Sequence, residues 1–190
     1  MTLLDVDDLV VRYDTREGPL HSVNGVSFSI DDGINYALSG ESASGKSTTA
    51  KAILGLLPDH AEIESGEIEF EGRDLRSLAP SERQDLLWEE IAFIPQTAID
   101  ALDPVMTVGA QIRQAVQTHR ELSERNAGRR ARELFGTVGL DPDRVDDYPH
   151  QFSGGMRQRV VIAMALALEP KLVIADEPTT GLDVIVQDKI

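Results

Sequence analysis

Cysteine is absent from all 190 residues, which excludes disulfides and thiolate-held metal ions. Lysine is scarce: Lys46, Lys51, Lys171 and Lys189 are the four, and arginine supplies the remaining positive charge. With 33 Asp and Glu against 18 Lys and Arg, the formal net charge is −15. Neutralising a nucleic-acid backbone takes clustered cations, so this balance argues against a broad nucleic-acid surface. Also missing is any apolar run near the roughly 20 residues that span a bilayer. The longest, residues 160–168, reads as a buried helix. The opening Met1-Thr2-Leu3-Leu4-Asp5 lacks the basic and apolar regions of a signal peptide. No internal repeat or low-complexity segment occurs. These absences set the expectation of a soluble, cytoplasmic protein.

What is present is enough apolar material for a core: 41% of residues are hydrophobic, and the length suits one substantial core or two small subdomains. The run Tyr36-Ala37-Leu38-Ser39-Gly40-Glu41-Ser42-Ala43-Ser44-Gly45-Lys46-Ser47-Thr48 organises the rest. Gly40, Gly45, Lys46 and Ser47 match the spacing G-x-x-x-x-G-K-[ST] of a phosphate loop. Successive backbone N–H groups must curl around a phosphate there, and bulky side chains would block them. The helix that follows points its positive end at the same anion. Lys46 is then placed to reach the outer phosphates, and the Ser47 hydroxyl to ligate Mg²⁺. A Gly/Ser-rich turn with a solvated lysine is the plainer reading, but strand pattern before and helix pattern after argue against it. Acid-rich, lysine-poor composition also suits a salt-adapted (halophilic) protein. At about 1 M salt the screening length is roughly 3 Å, so remote carboxylates would hardly repel an anionic ligand.

Read in order, residues 3–13 alternate loosely and carry Leu9, Val10 and Val11, the pattern of a strand. Residues 23–30 place Val26, Phe28 and Ile30 on one strand face, and residues 34–39 read as the strand feeding the phosphate loop. Ala50, Ile53, Leu54 and Leu57 stand at helical spacing, with a stop at Pro58. Ile68 and Phe70 point inward from a further strand over 66–70. These strands suggest an antiparallel sheet beside a nucleotide-binding core. A short helix over 80–90 has Ser81 as a candidate cap, and Ile91-Ala92-Phe93-Ile94 reads as a buried parallel strand ending at Pro95-Gln96. Thr107 and Ser123 are placed to cap two helices, the second with an apolar stripe of Ala127, Ala131, Leu134, Phe135 and Val138 closed by Gly139. Asp141-Pro142 opens a short helical turn. The stretch from Gln96 to Ser153 thus reads as an all-helical insertion.

The second half of the chain repeats the anion-binding theme. Ser153 is a natural cap for the apolar helix that follows, and Gly154 and Gly155 leave backbone N–H groups bare at its start. An ordinary capped core helix explains the same residues equally well. The apolar run Leu172-Val173-Ile174-Ala175 reads as a buried strand ending in Asp176-Glu177, where open α/β sheets place their ligands. Asp176 suits Mg²⁺ and Glu177 suits polarising an attacking water. Two acids at a strand end are more often merely solvated; the phosphate loop upstream shifts the balance.

Taken together, Gly40 to Thr48, Gln96, Ser153 to Gln158, Asp176-Glu177 and Gly181-Leu182-Asp183 resemble an ATP-binding cassette (ABC) ATPase domain over almost the whole chain. More narrowly, Tyr148 to Arg159, Glu41-Ser42, Asp103 to Gly109 and Asp176 to Asp183 resemble the dipeptide, oligopeptide and nickel importer ATPases. The resemblance implies an α/β phosphate-loop core with a mixed or parallel sheet, an N-terminal antiparallel β subdomain and a helical subdomain. It divides the chain into core residues 1–96 and 160–190 and helical residues 97–159. It also implies a head-to-tail dimer with a second such subunit, identical or not. Each ATP then lies between the phosphate loop (Gly40, Glu41, Ser42, Ala43, Ser44, Gly45, Lys46, Ser47, Thr48) of one copy and Ser153, Gly154, Gly155 and Met156 of the other. Tyr13 maps to the adenine-stacking aromatic, and an ordinary strand-end tyrosine is nearly as good a reading. Ser47, Gln96 and Asp176 map to Mg²⁺, Glu177, Lys46 and Gln96 to catalysis, and Asp183 to the dimer seam. Implied partners are transmembrane permease subunits met by the helical subdomain and, indirectly, an extracytoplasmic substrate-binding protein, with no nucleic acid. The implied location is peripheral, on the inner face of the cell membrane.

The chain departs from that pattern at several positions. Ala43 stands where many relatives have glycine, a cost on the order of 1 kcal/mol if the position needs positive φ. Ile34-Asn35 replaces a Gly-Glu continuation, and Phe152 and Met156 replace the commoner Leu and Gln. A histidine expected some thirty residues beyond Asp176-Glu177 has no counterpart, since His21, His60, His119 and His150 stand too early. The expectation is a C-terminally cut fragment that binds ATP–Mg²⁺ weakly and hydrolyses it poorly. An ABC-type ATPase acting on DNA or ribosomes is the alternative function. A small-molecule kinase ranks last because it leaves 153–159 unexplained.

Overall fold

The computed structural model describes residues 1–96, 101–120 and 122–178, with the Trp88 side chain left out. Two compact units divide the chain, Met1–Asp85 and Leu86–Ile190.

The first unit is built on long antiparallel strands: β1 (Thr2–Thr15), β2 (Gly18–Asp31), β3 (Ala61–Phe70) and the short β4 (Arg73–Asp74), in the order β2-β1-β3-β4. The loose alternation in β1 has a local cause. Leu4 and Val6 are buried at even positions, Leu9 and Val11 at odd ones. The register shifts between Val6 and Leu9 against β2, and Asp8 takes a φ of 44°. One extra residue is thus absorbed as a bulge, which returns both halves of the strand to the same core face. Ser27 secures it, its hydroxyl accepting from the Asp8 N–H at 2.8 Å and donating to Asp7 Oδ1 at 3.1 Å. In β2, Val26, Phe28 and Ile30 alternate half-buried with exposed neighbours, the expected period of two. Helix α1 (Lys46–Leu54) buries Thr49, Ala52, Ile53 and Leu54.

Three expectations fail here. Residues 34–39 form no strand: neither sheet of the described residues contains them, and a strand without a paired neighbour leaves its backbone groups to water. Ile34 is 60% exposed, and Tyr36 stacks on Phe28 with ring centroids 5.2 Å apart. The helix after the loop stops at Leu54, not Pro58, because Gly55 takes the left-handed conformation (φ 66°) and returns its N–H to Ala52. Leu57 lies beyond the helix, half-buried. Ser81 does not cap α2 (Pro80–Glu89), which crosses the division between units; Pro80 is its first residue. The Glu82 carboxylate instead accepts the Ala79 N–H at 3.0 Å, doing the capping from inside the first turn.

The second unit pairs β5 (Ile91–Ile94) with β6 (Leu172–Ala175) in parallel, as their apolar runs suggest. Helix α5 (Gly154–Ala165) packs on β5, and α3 (Val108–His119) and α4 (Glu124–Thr137) pack on α5 and on each other, with Val108, Ile112, Phe135 and Val160 completely buried. The Thr107 and Ser123 hydroxyls accept from Ala110 and Asn126, the two expected caps. Asp141 caps a 3₁₀ turn over Pro142–Asp146. At the other end of α5, Arg120 donates to the Leu168 carbonyl and Arg130 to that of Leu166, placing cations where the helix ends negative. β6 is less buried than its composition suggests: Leu172 is covered, but Val173 is 39% exposed. Among the described residues only β5 pairs with it. No helix among the described residues is long and apolar enough to cross a membrane.

Candidate functional site

Three parts, each lying within a single unit, are candidates, and the first is the loop before α1. Gly45 is left-handed (φ 95°), and a Cβ there would fall 2.3 Å from the Ser22 carbonyl oxygen of β2. The chain therefore turns into the helix only because this residue has no side chain. Gly40 is tight for a milder reason, since an added Cβ would meet the movable Ser44 hydroxyl at 2.6 Å. Ala43 adopts φ 64°, so the departure from glycine does place an L-residue in the left-handed region. Lys46 folds across the loop. Its ammonium donates to the carbonyls of Gly40 and Glu41, both at 2.8 Å, which draws those two oxygens inward and leaves the third N–H of an ammonium for another acceptor. The Ser44 N–H reaches Glu41 O at 3.2 Å, closing a turn within the loop. Thr49, one turn into the helix, sends both its N–H and its hydroxyl back to the Gly45 carbonyl, at 2.8 and 3.0 Å. Residues 40–44 are exposed, Ser47 and Thr48 are half-buried, and the first turn of α1 carries no acid. A glycine-built ring with an inward lysine and an uncontested helix N-terminus fits a phosphate group.

The second part lies at the C-terminal end of the parallel pair. Ile94 is opposite Ala175, so Gln96 and Glu177 each stand two residues beyond the last pairing. The Gln96 amide donates to Glu177 Oε2 at 3.0 Å. The Asp176 N–H continues the ladder to the Ile94 carbonyl at 2.9 Å. Glu177 has a φ of 46°, a strained value for a non-glycine residue. In this conformation its carboxylate accepts from the Gln96 amide. Among the described residues no group of three His, Cys, Asp or Glu side chains forms a metal cage.

The third part is the start of α5. Ser153 has extended dihedrals, and its hydroxyl accepts from the Met156 N–H at 3.4 Å. Gly154 and Gly155 open the helix, half-exposed, and no acid lies in the first turn. Tyr13, near the end of β1, packs edge-on against His60, centroids 5.6 Å apart. Asp183 lies outside the described residues.

Sequence reasoning singled out these positions but missed the groups that hold them. Ser22 sits in a strand and Thr49 in a helix, so no local pattern marks the first as lying against Gly45 or the second as bonding to the Gly45 carbonyl. Nor does any sequence signal announce the left-handed φ of Glu177.

A glycine-built phosphate loop ahead of a helix, and acids at the end of a parallel strand, define the phosphate-loop class of nucleotide-binding α/β proteins. Within it, the ABC transporter family matches residues 23–180. Among curated proteins, the chain is 48% identical over 191 residues to the oligopeptide transport ATP-binding protein OppD of Bacillus subtilis. That alignment covers 99% of this chain and 53% of the relative. It is 44% identical to the dipeptide transport ATP-binding protein DppD of Escherichia coli, covering 100% and 59%. The chain thus spans little more than half the length of these relatives. Among solved structures, the post-hydrolysis dimer of the cassette MJ0796 with ADP and Pi superposes with a TM-score of 0.86 at 27% identity, over 98% of this chain and 79% of that one. CbiO1 from Clostridium perfringens, part of the transporter complex cbiONQ, gives 0.82 at 28% identity, over 98% and 70%. The chain belongs to the ABC transporter family, and its fold is that of the ABC ATPase cassette.

Proposed function

We propose that the chain is the ATP-binding and ATP-hydrolysing part of an ABC importer, with peptides as the transported cargo and nickel the alternative. The observation that carries this reading is the hydrogen bond between Gln96 and Glu177 at the end of a parallel strand pair, in a chain whose Lys46 already gathers a phosphate loop. Lys46 and the loop N–H groups bind the β- and γ-phosphates. Ser47, Gln96 and Asp176 are the residues for Mg²⁺, which when bound neutralises charge on the phosphate oxygens. Glu177 takes the proton of the attacking water, and Gln96 fixes the carboxylate's direction. Tyr13 is the candidate for stacking on the adenine.

Resemblance to peptide-transport ATPases of two organisms and to a dimeric cassette supports the rest. In that reading two copies, or this chain and a similar subunit, close head to tail on ATP, with Ser153 to Met156 meeting the partner's nucleotide and Asp183 at the seam. Hydrolysis reopens the pair. Permease subunits contact residues 97–159 from within the membrane, and an extracytoplasmic binding protein delivers the cargo. The chain then works on the cytoplasmic face.

The test uses the protein at its full encoded length. Lys46→Ala should weaken ATP binding by about ten- to a hundredfold, the effect of losing a charge-assisted hydrogen bond. Glu177→Gln should keep ATP affinity while slowing hydrolysis by roughly 10²–10⁴. Unchanged turnover in Glu177→Gln would remove Glu177 from the mechanism. Equal loss of binding in both variants would make Glu177 structural.

A further inference from the structure

One arginine reaches both sides of the turn that presents Ser153. Arg144 lies in the 3₁₀ turn upstream. Its Nε donates to Asp147 Oδ2 at 2.7 Å, one terminal nitrogen donates to the Gln151 carbonyl at 3.0 Å, and the other stands 3.8 Å from Met156 Sδ. The guanidinium carbon lies 4.4 Å from the centroid of the Phe152 ring. That ring is held by a second aromatic, since Phe152 is buried and packs edge-on to Phe135 at 6.3 Å. Gln151 is fixed in turn by the Tyr148 N–H, which its side chain accepts at 2.7 Å. A single planar group therefore touches Gln151 and Phe152 before Ser153, and Met156 after it.

The Asp147 pair alone explains little. Both side chains are about a third exposed, and an exposed pair contributes little stability. What distinguishes the arrangement is the planar fork, which stacks on a ring while directing bonds in its own plane. Lysine, a point charge on a flexible stem, does neither.

We propose that Arg144 is a positioning residue for the ATP-driven dimer. It holds Gln151, Phe152 and Met156 so that the bare N–H groups of Ser153, Gly154 and Gly155 face the phosphates of a nucleoside triphosphate bound to a second copy. It acts through those neighbours and touches no nucleotide itself. The inference rests on the head-to-tail reading given above.

The experiment uses the full-length protein carrying Glu177→Gln, so that ATP is not consumed. Two quantities are measured: the affinity of dilute monomer for a fluorescent ATP analogue, and the ATP concentration that half-converts monomer to dimer in sedimentation. Adding Arg144→Ala should raise the second about tenfold or more, the loss of a charged hydrogen bond, while the first stays within about twofold. Arg144→Lys should remain impaired because charge alone does not restore the fork. Phe152→Leu should also impair, and combined with Arg144→Ala should add less than its separate effect, as contacting residues do. These two milder variants keep the test valid where the alanine variant fails to fold. Normal dimerisation in Arg144→Ala or Arg144→Lys overturns the proposal. So does an equal loss of monomer affinity, which marks a general structural role. If the parent itself binds ATP yet stays monomeric, the head-to-tail reading fails and takes this inference with it.

Discussion

Gly45 is the residue on which the phosphate loop depends most. Its φ of 95° and the 2.3 Å gap to the Ser22 carbonyl act together, so even one methyl group brings backbone strain and a backbone clash. Gly45→Ala should lose roughly 2–4 kcal/mol of stability, read as a lowered melting temperature with loss of nucleotide binding. Ala43 is the opposite case. It already occupies φ 64° with a side chain, so Ala43→Gly should gain up to about 1 kcal/mol, the left-handed cost recovered less the greater chain entropy of glycine. Lower stability in Ala43→Gly would show that the loop tolerates an L-residue there without strain. Phe152 and Met156, departures when read in sequence, share a neighbour in the structure, since both pack against Arg144.

At the scale of elements, the helices were legible because capping is local. Thr107, Ser123 and Ser153 each stand beside the N–H they satisfy, three residues on. The early strands were legible too, because Val26, Phe28 and Ile30 alternate with polar neighbours. Residues 34–39 misled for a physical reason. Their apolar alternation records a preference for pairing, whereas a strand exists only where another strand supplies the hydrogen bonds, and neither sheet of the described residues does. The bulge at Asp7-Asp8 was illegible because its partner is remote: Gly66 (φ 98°) passes so close that a Cβ there would fall 2.5 Å from the Asp8 carbonyl oxygen. Gly66→Ala should therefore displace β3 from β1 and cost about 2 kcal/mol or more, seen in denaturant unfolding and in faster amide exchange along 61–70. A neutral result would mean that the bulge can shift to another residue.

For the whole molecule, three α-helices among the described residues start without acids in their first turns, α1 in the first unit and α3 and α5 in the second, and α1 and α5 form a pair among them. Each of that pair is entered through glycine and serine, the chemistry that leaves N–H groups open to an anion. In the proposed head-to-tail dimer the two serve different nucleotides, one held by the chain's own loop and one presented by a partner copy. Mixing two crippled variants of the full-length protein tests that assignment. Lys46→Ala destroys the loop of every site it enters, and Ser153→Arg blocks the facing helix. Alone, each should hydrolyse almost no ATP. In a mixed dimer both lesions fall on one site and the other site is intact. Equimolar mixing should thus recover up to about a quarter of the native site count, and hydrolysis with it, for random pairing in a two-fold dimer. A mixture as inactive as its components would contradict the account, because loop and helix would then serve the same nucleotide within one chain.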